Sequence, residues 1–462
     1  MRSASAWTLI VVAVVQLIPG SQESQPLFLT PYIDACDYET AKNLSKVPLF
    51  EMMANVSAYS GLITVNSTYN SSLFFLFLVA EGNTSDAPIL LWTQGGPGQS
   101  SLFGQFLQNG PIAFDANPNI SVRTNTLQKN MSVIYLDVPV GAGFSFADSL
   151  DGYSTSLEDI TRDVMEFLRQ FLELFSELKN RDFYLAGESY AARYSVAIAH
   201  QLLTDTKNLP LQLKGIIGGN GFLGPILDTV NSSEFRYQTS MLDDNGRMQF
   251  DMRFQYMKNL SMTENATQVP AILFSTIFAD PTQQRPSCFQ NLTLYNDHAS
   301  PLYTERPYYM LACFFFLNSS LELRRQIHVG DNAIFRFSEL TLLTKLAPDV
   351  LRDISNLTQR VLNETRVLFY TGQLDALFPS VNQRAYFSTL QWAHTDQYRQ
   401  APRKPWSPAG RSPYMGFAGY MKQAANFTDV VLLGMSHYGA AEKPDEAYYL
   451  TTEFVANQLG AI

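Results

Sequence analysis

A series of short apolar runs, rich in β-branched and aromatic residues, punctuates this chain: Leu73–Ala80, Pro88–Thr93, Ser132–Asp137, Phe183–Gly187, Gly215–Gly219, Arg366–Thr371 and Asp429–Gly434. Several are apolar almost without interruption, the pattern of strands buried on both faces of a sheet that helices cover. Between two of them, Leu157–Leu178 places Ile160, Val164, Phe167, Phe171 and Phe175 at three- and four-residue intervals behind a Ser156/Asp159 start signal. That spacing predicts a long amphipathic helix. Strand, helix, strand predicts an α/β fold with a mixed, mostly parallel central sheet. From about Pro225 to Arg325 the chain turns richer in Met, Asn, Gln and Tyr and loses its periodicity. The expected division is a core over 21–224, a cap or lid insertion over 225–325, and the core again over 326–462. The absence of internal repeats disfavours solenoids and propellers.

The chemistry concentrates at Gly187-Glu188-Ser189-Tyr190-Ala191, which follows an apolar strand and precedes a helix-compatible stretch, Ala191–Leu203. That is where a nucleophile elbow holds its serine, although the last small residue is Ala191 rather than glycine. A serine hydroxyl needs a histidine base and a carboxylate that fixes the imidazole tautomer, in the order Ser, Asp, His for this architecture. Asp375 follows the strand Arg366–Tyr370 and His437 follows Asp429–Gly434, both at strand C-terminal ends, where open α/β sheets place their sites. The competing histidines fit less well. His200 sits in a helical pattern, His298 in the expected cap and His328 between Ile327 and Val329, and all three precede Asp375; His394 lies in a polar segment with no strand before it. Acyl transfer also needs N–H donors for the developing oxyanion. Trp92-Thr93-Gln94-Gly95-Gly96-Pro97-Gly98 supplies close-approaching backbone, so Gly96 and Tyr190 are the candidate donors.

The compartment is written at the N-terminus. Met1-Arg2, an apolar Ala6–Ile18 and Pro19-Gly20-Ser21 read as a signal peptide over residues 1–20, too short for the ~20 apolar residues of a spanning helix. Fifteen Asn-x-Ser/Thr sequons stand where chance gives roughly four: Asn43, Asn55, Asn66, Asn70, Asn83, Asn119, Asn130, Asn231, Asn259, Asn265, Asn291, Asn318, Asn356, Asn363 and Asn426. Glycosylation would keep soluble a surface drawn from only 16% charged residues. The expected location is therefore the secretory pathway, lysosomal or extracellular. A net charge of −10 disfavours nucleic acid as a partner. Three cysteines, Cys36, Cys288 and Cys313, allow one disulfide at most, with Cys288–Cys313 the first expectation, and they fit no zinc spacing. No metal or other cofactor is expected.

Taken with Leu27–Ile33, Gln94–Gly98, Asp137–Ser145, Gly219–Gly221, Ile327–Gly330 and Tyr370–Asp375, these motifs run in the order of the serine carboxypeptidases, and the chain most closely resembles the vitellogenic-like branch. The resemblance implies an α/β-hydrolase core with a cap, removing single residues from peptide C-termini at acidic pH. It implies Ser189 as nucleophile, His437 as base and Asp375 as orienting acid, with the substrate carboxylate bound by Trp92, Gln94, Gln108 and Glu188. Glu188 beside a carboxylate is repulsive unless a proton is shared, so binding should weaken as pH rises.

The chain also departs from that pattern. Gln108 stands in place of a glutamate, Gln99 in place of a frequent cysteine, and Arg193-Tyr194-Ser195-Val196 in place of a Tyr-Val-Pro ending. Ser436, at the glycine position, and His437-Tyr438-Gly439-Ala440-Ala441-Glu442-Lys443-Pro444 replace a Gly-His-hydrophobe-x-Pro-x-Asp-Gln-Pro pattern; loss of its first proline would loosen the loop, and an ångström of histidine displacement would cost roughly a hundredfold in rate. Two alternatives follow from these changes and from the shared triad: a weakly active homologue with a binding or stabilising role, and an acyltransferase or esterase.

Overall fold

The computed structural model describes residues 23–459 apart from 83–85, 115–119, 206–208, 279–284, 337–339, 409 and 413–414. The signal-peptide residues and the sequons Asn83 and Asn119 lie outside the described residues. Each apolar run is a strand, with ends displaced by a few residues. In chain order the strands are β1 (Ala58–Asn66), β2 (Ser71–Leu78), β3 (Ile89–Thr93), β4 (Ile112–Phe114), β5 (Ile120–Val122), β6 (Ser132–Leu136), β7 (Asp182–Glu188), β8 (Gln212–Gly219), β9 (Arg366–Gly372), β10 (Lys404–Trp406), β11 (Gly419–Ala424) and β12 (Phe427–Leu432). β4 and β5 form a separate hairpin.

The other strands make one sheet in the order β1-β2-β6-β3-β7-β8-β9-β12-β11-β10. Pairing is parallel from β6 through β12 and antiparallel at both flanks. The edge strands β1, β10 and β11 escaped the sequence reading, because outer strands carry polar residues that break the apolar run. Every residue of β2 is buried: Leu73, Phe75 and Phe77 enter one apolar cluster while Phe74, Leu76 and Leu78 enter another.

Helix α1 (Leu157–Leu174) covers the first of these faces. Ser156 accepts from the Asp159 N–H at 3.2 Å, so the start signal is a real cap. Phe167 and Phe171 pack on Phe75 with ring centroids 5.6 Å apart, and Phe175 just beyond the helix packs on Phe77 at 5.2 Å. Helix α2 (Ala191–Thr204) lies beside it. Between β8 and β9 the described residues form helices and no strand, among them α3 (Asp244–Ser261), α4 (Val269–Ile277) and α5 (Tyr308–Ser319). The chain closes with α6 (Pro444–Val455).

The expected Cys288–Cys313 disulfide is absent. Cys288 starts a short helix packed against the α1 side of the core, whereas Cys313 is buried in α5 within the opposite cluster; both thiols and Cys36 are free. Spacing in sequence carried no information about which face of the sheet each cysteine joins.

Candidate active site

β7 ends at Glu188 and α2 begins at Ala191, so the turn consists of Ser189 and Tyr190. Ser189 has φ +58°, a left-handed conformation that non-glycine residues adopt only when their surroundings enforce it. Its N–H donates to Gly219 O of β8 at 2.8 Å. A Cβ on Gly187 would fall 2.3 Å from Ala191 O, so glycine is what lets the helix start this close to the strand. No side chain caps α2, and its positive end faces the turn.

The loop after β9 buries Asp375 completely. Its Oδ1 accepts from the Leu377 and Phe378 N–H groups at 2.9 and 2.8 Å, leaving Oδ2 2.9 Å from His437 Nδ1. His437, on the loop after β12, has Nε2 3.2 Å from Ser189 Oγ. With Nδ1–H donated to the carboxylate, the Nε2 lone pair is directed at the serine hydroxyl. Burial disfavours the imidazolium, but Asp375, helped by Glu188 and Asp297, outweighs it and raises the His437 pKa. The order Ser, Asp, His is thus matched by contact.

The glycine loop after β3 lies against the elbow: a Cβ on Gly95 would sit 2.7 Å from Ser189 Cβ and 2.8 Å from Tyr190 N. Gly96 therefore reaches the cavity beside Ser189. Buried Asp137 anchors this loop, accepting from Ser100 Oγ, the Ser101 N–H and the Phe144 N–H at 2.7, 2.8 and 2.9 Å. Burial pushes its carboxyl up to about 7.

The expected carboxylate-binding side chains also meet. Trp92 Nε1–H donates to Gln94 Oε1 at 3.1 Å, which fixes that amide so that Nε2 donates to Glu188 Oε2 at 2.7 Å. Gln108, on a π-helical turn over Gly104–Asn109, donates to the same oxygen. Glu188 Oε1 and Gln108 Oε1 are buried and have no partner. Burial pushes Glu188 up to about 7 against the hydrogen bonds from Gln108 and Gln94.

Ser189, His437, Glu188, Gln94 and Gln108 share one cavity of about 300 Å³. Its apolar walls include Phe103, Leu107, Met310, Phe314 and Leu377. His298 and Arg306 line it as well, although no motif or spacing placed either of them there. Asn220, noticed only as part of a motif, bridges the two loops: its Oδ1 accepts from the Gly372 N–H at 2.7 Å and its Nδ2 donates to Ser436 O at 3.1 Å. His328 lies outside this cavity; its Nδ1 is 2.9 Å from Ser60 Oγ, and burial pulls its pKa down to about 4. Larger grooves elsewhere, including one of about 1230 Å³ between α4 and the helix Leu340–Val350, contain none of these residues.

A mostly parallel sheet with a strained serine between strand and helix, an imidazole on that serine and a buried carboxylate behind it defines an α/β-hydrolase. Residues 48–457 match the family model described as serine carboxypeptidase. A probable serine carboxypeptidase, CPVL, from Homo sapiens is 34% identical over 444 residues, covering 96% of this chain and 92% of that protein. The venom serine carboxypeptidase of Apis mellifera is 33% identical (94% and 91% covered), and the vitellogenic carboxypeptidase of Aedes aegypti 31% (94% and 91%). The fold matches the Kex1 carboxypeptidase of Saccharomyces cerevisiae with a TM-score of 0.71 at 18% identity, covering 90% of this chain and 94% of that one. The chain belongs to the serine carboxypeptidase family.

Proposed function

We propose that this enzyme releases C-terminal residues from peptides through an acyl-enzyme on Ser189, with the substrate carboxylate held at Glu188. The observation that carries the reading is the unpartnered Oε1 of fully buried Glu188, in the same cavity as the Ser189–His437 pair. A side chain poised to share a proton suits a terminal carboxylate, which only the end of a peptide possesses. Below about pH 7 Glu188 holds that proton. Each glutamine Nε2 that donates to Glu188 keeps a second N–H for the incoming anion.

With the carboxylate anchored, His437 takes the Ser189 proton as Oγ attacks the last peptide carbonyl, while the N–H groups of Gly96 and Tyr190 receive the oxyanion. His437 returns the proton to the leaving amine, and water repeats the sequence to free the acyl group. The demands on Glu188 and His437 are opposite. The productive form carries a proton on the first and none on Nε2 of the second; since ionised Glu188 is one of the charges that raise His437, protonating it eases the deprotonation of the base.

Residues 225–325 form the cap in this reading, since Met310 and Phe314 of α5 wall the cavity. Residues 1–20 direct the chain to the secretory pathway, with lysosomal or extracellular delivery. Of the sequons among the described residues, Asn43, Asn55, Asn70, Asn130, Asn259, Asn265, Asn291, Asn318, Asn356 and Asn363 are exposed, and Asn66, Asn231 and Asn426 are partly so. Among the described residues no helix is long and apolar enough to cross a membrane.

The test is release of the C-terminal residue from N-blocked dipeptides between about pH 4 and 7.5, with glycosylated protein and its Ser189→Ala variant. Release that disappears in the variant is expected. Equal release by both would overturn the assignment of Ser189.

A further inference from the structure

The loop that carries His437 lacks the proline and glycine of its family pattern, yet it delivers Nε2 within hydrogen-bond reach of Ser189. What holds it is the carboxylate of Glu442, five residues beyond His437. Glu442 Oε2 accepts from the Ser436 N–H at 2.6 Å and Oε1 accepts from Ser436 Oγ at 2.9 Å, so both oxygens of one side chain grip the residue that immediately precedes the base. Ser436 is fully buried, and its own carbonyl accepts from Asn220. The turn between the partners is closed by Gly439 N–H to Ser436 O and Glu442 N–H to Gly439 O, at 3.3 and 3.1 Å. On the other flank, Tyr438 donates its hydroxyl to Asp297 Oδ1 at 2.7 Å.

We propose that Glu442 is a positioning residue for the catalytic base: its two-point grip on Ser436 replaces the missing backbone stiffness and fixes the approach of His437 to Ser189. The serine at the glycine position thereby gains a purpose, since a glycine there would leave Oε1 without its Ser436 donor. Glu442 faces Asp297, Lys443 and the tyrosines Tyr303 and Tyr309, and does not touch His437 itself. Its effect is therefore geometric, acting through Ser436. This inference rests on His437 serving as base.

Glu442→Ala should lower kcat by about 10- to 100-fold, the cost of a misplacement on the ångström scale, with KM unchanged and the pH limbs of kcat/KM in place. Labelling of Ser189 by a serine-directed phosphonate should slow by the same factor. Glu442→Gln keeps an acceptor for the Ser436 N–H and offers an amide donor to Ser436 Oγ, so it should restore most of kcat. If Glu442→Ala does not fold, Ser436→Ala, which deletes only the hydroxyl limb of the grip, should show a smaller kcat loss at unchanged KM.

Wild-type kcat in Glu442→Ala, or in Ser436→Ala where that variant stands in, overturns the proposal. So does a loss in Glu442→Gln equal to that in Glu442→Ala, which would make charge rather than grip the cause, or a loss confined to KM. Absence of Ser189-dependent turnover in the wild-type protein would instead overturn the functional reading on which this one stands, so the two failures are distinct.

Discussion

Replacing Glu188 by glutamine separates the two roles of its proton. The carboxyl titrates at about 7 in the folded chain against an ordinary 4.5, because burial penalises its charged form. A raised folded-state pKa stabilises most fully below the unfolded value and is lost as pH climbs through the folded one. The gap between 4.5 and about 7, at ~1.4 kcal/mol per unit, makes that loss ~3 kcal/mol by pH 8. Glutamine cannot ionise and does not incur it. Urea unfolding of the two proteins should therefore show the variant gaining ~3 kcal/mol on the wild type between pH 4 and pH 8.

Catalysis gives the second readout. In the wild type, binding of the peptide carboxylate should weaken about tenfold per pH unit above 7 as Glu188 ionises, and the variant should lose this alkaline limb. Removing the charge also lowers the His437 pKa, so the acid limb should move to lower pH. Steady-state kcat and KM for one N-blocked dipeptide at each pH suffice. A variant whose KM rises above pH 7 as steeply as the wild type, and whose stability tracks the wild type from pH 4 to 8, would falsify the assignment of a buried, titrating Glu188 to the substrate carboxylate.

Other perturbations probe the frame around this pair. Asp375→Asn removes the charge that holds the Nδ1–H tautomer, and kcat should fall by about 10⁴ with KM little changed. Asp137→Ala leaves the Ser101 and Phe144 N–H groups without their buried acceptor, so urea unfolding near pH 4 should show a loss of about 2–4 kcal/mol, which narrows toward pH 8 as the wild-type carboxyl, pushed up to about 7, ionises. Phe314→Ala opens the apolar wall, and KM for dipeptides with bulky apolar side chains should rise about tenfold, the equivalent of part of one buried side chain, while small side chains are less affected.

How much of this was legible in the sequence depended on whether a residue's role is local. The elbow was readable because strand, tight turn and helix are contiguous, and Asp375 and His437 because each follows its own strand. The set expected to bind the substrate carboxylate came from the resemblance, and the structure brings its four side chains into one chain of contacts. Glu442 was visible only as part of a departure from pattern, since nothing in its spacing says that it folds back on Ser436. Arg306 and His298 had no signal that placed them there, because both lie on the irregular stretch between the helix Cys288–Thr293 and α5, whose sequence does not disclose which side chains turn toward a distant cavity. The cysteines failed for the same reason.

The sheet order has a consequence for when the enzyme becomes dangerous to its surroundings. Ser189 belongs to the half of the sheet ending at β8, whereas Asp375 and His437 follow β9 and β12, and a long helical excursion separates the adjoining strands in sequence. Closing so large a loop is entropically expensive and slow. A chain that has folded only through β8 holds a finished turn around an inert hydroxyl. Chemical competence arrives when β9 docks on β8 and Asn220 fastens the last two loops across that seam. A chain truncated before β9 thus lacks both partners of the serine, and the fraction of molecules that a serine-directed reagent captures reports the fraction whose two halves have joined.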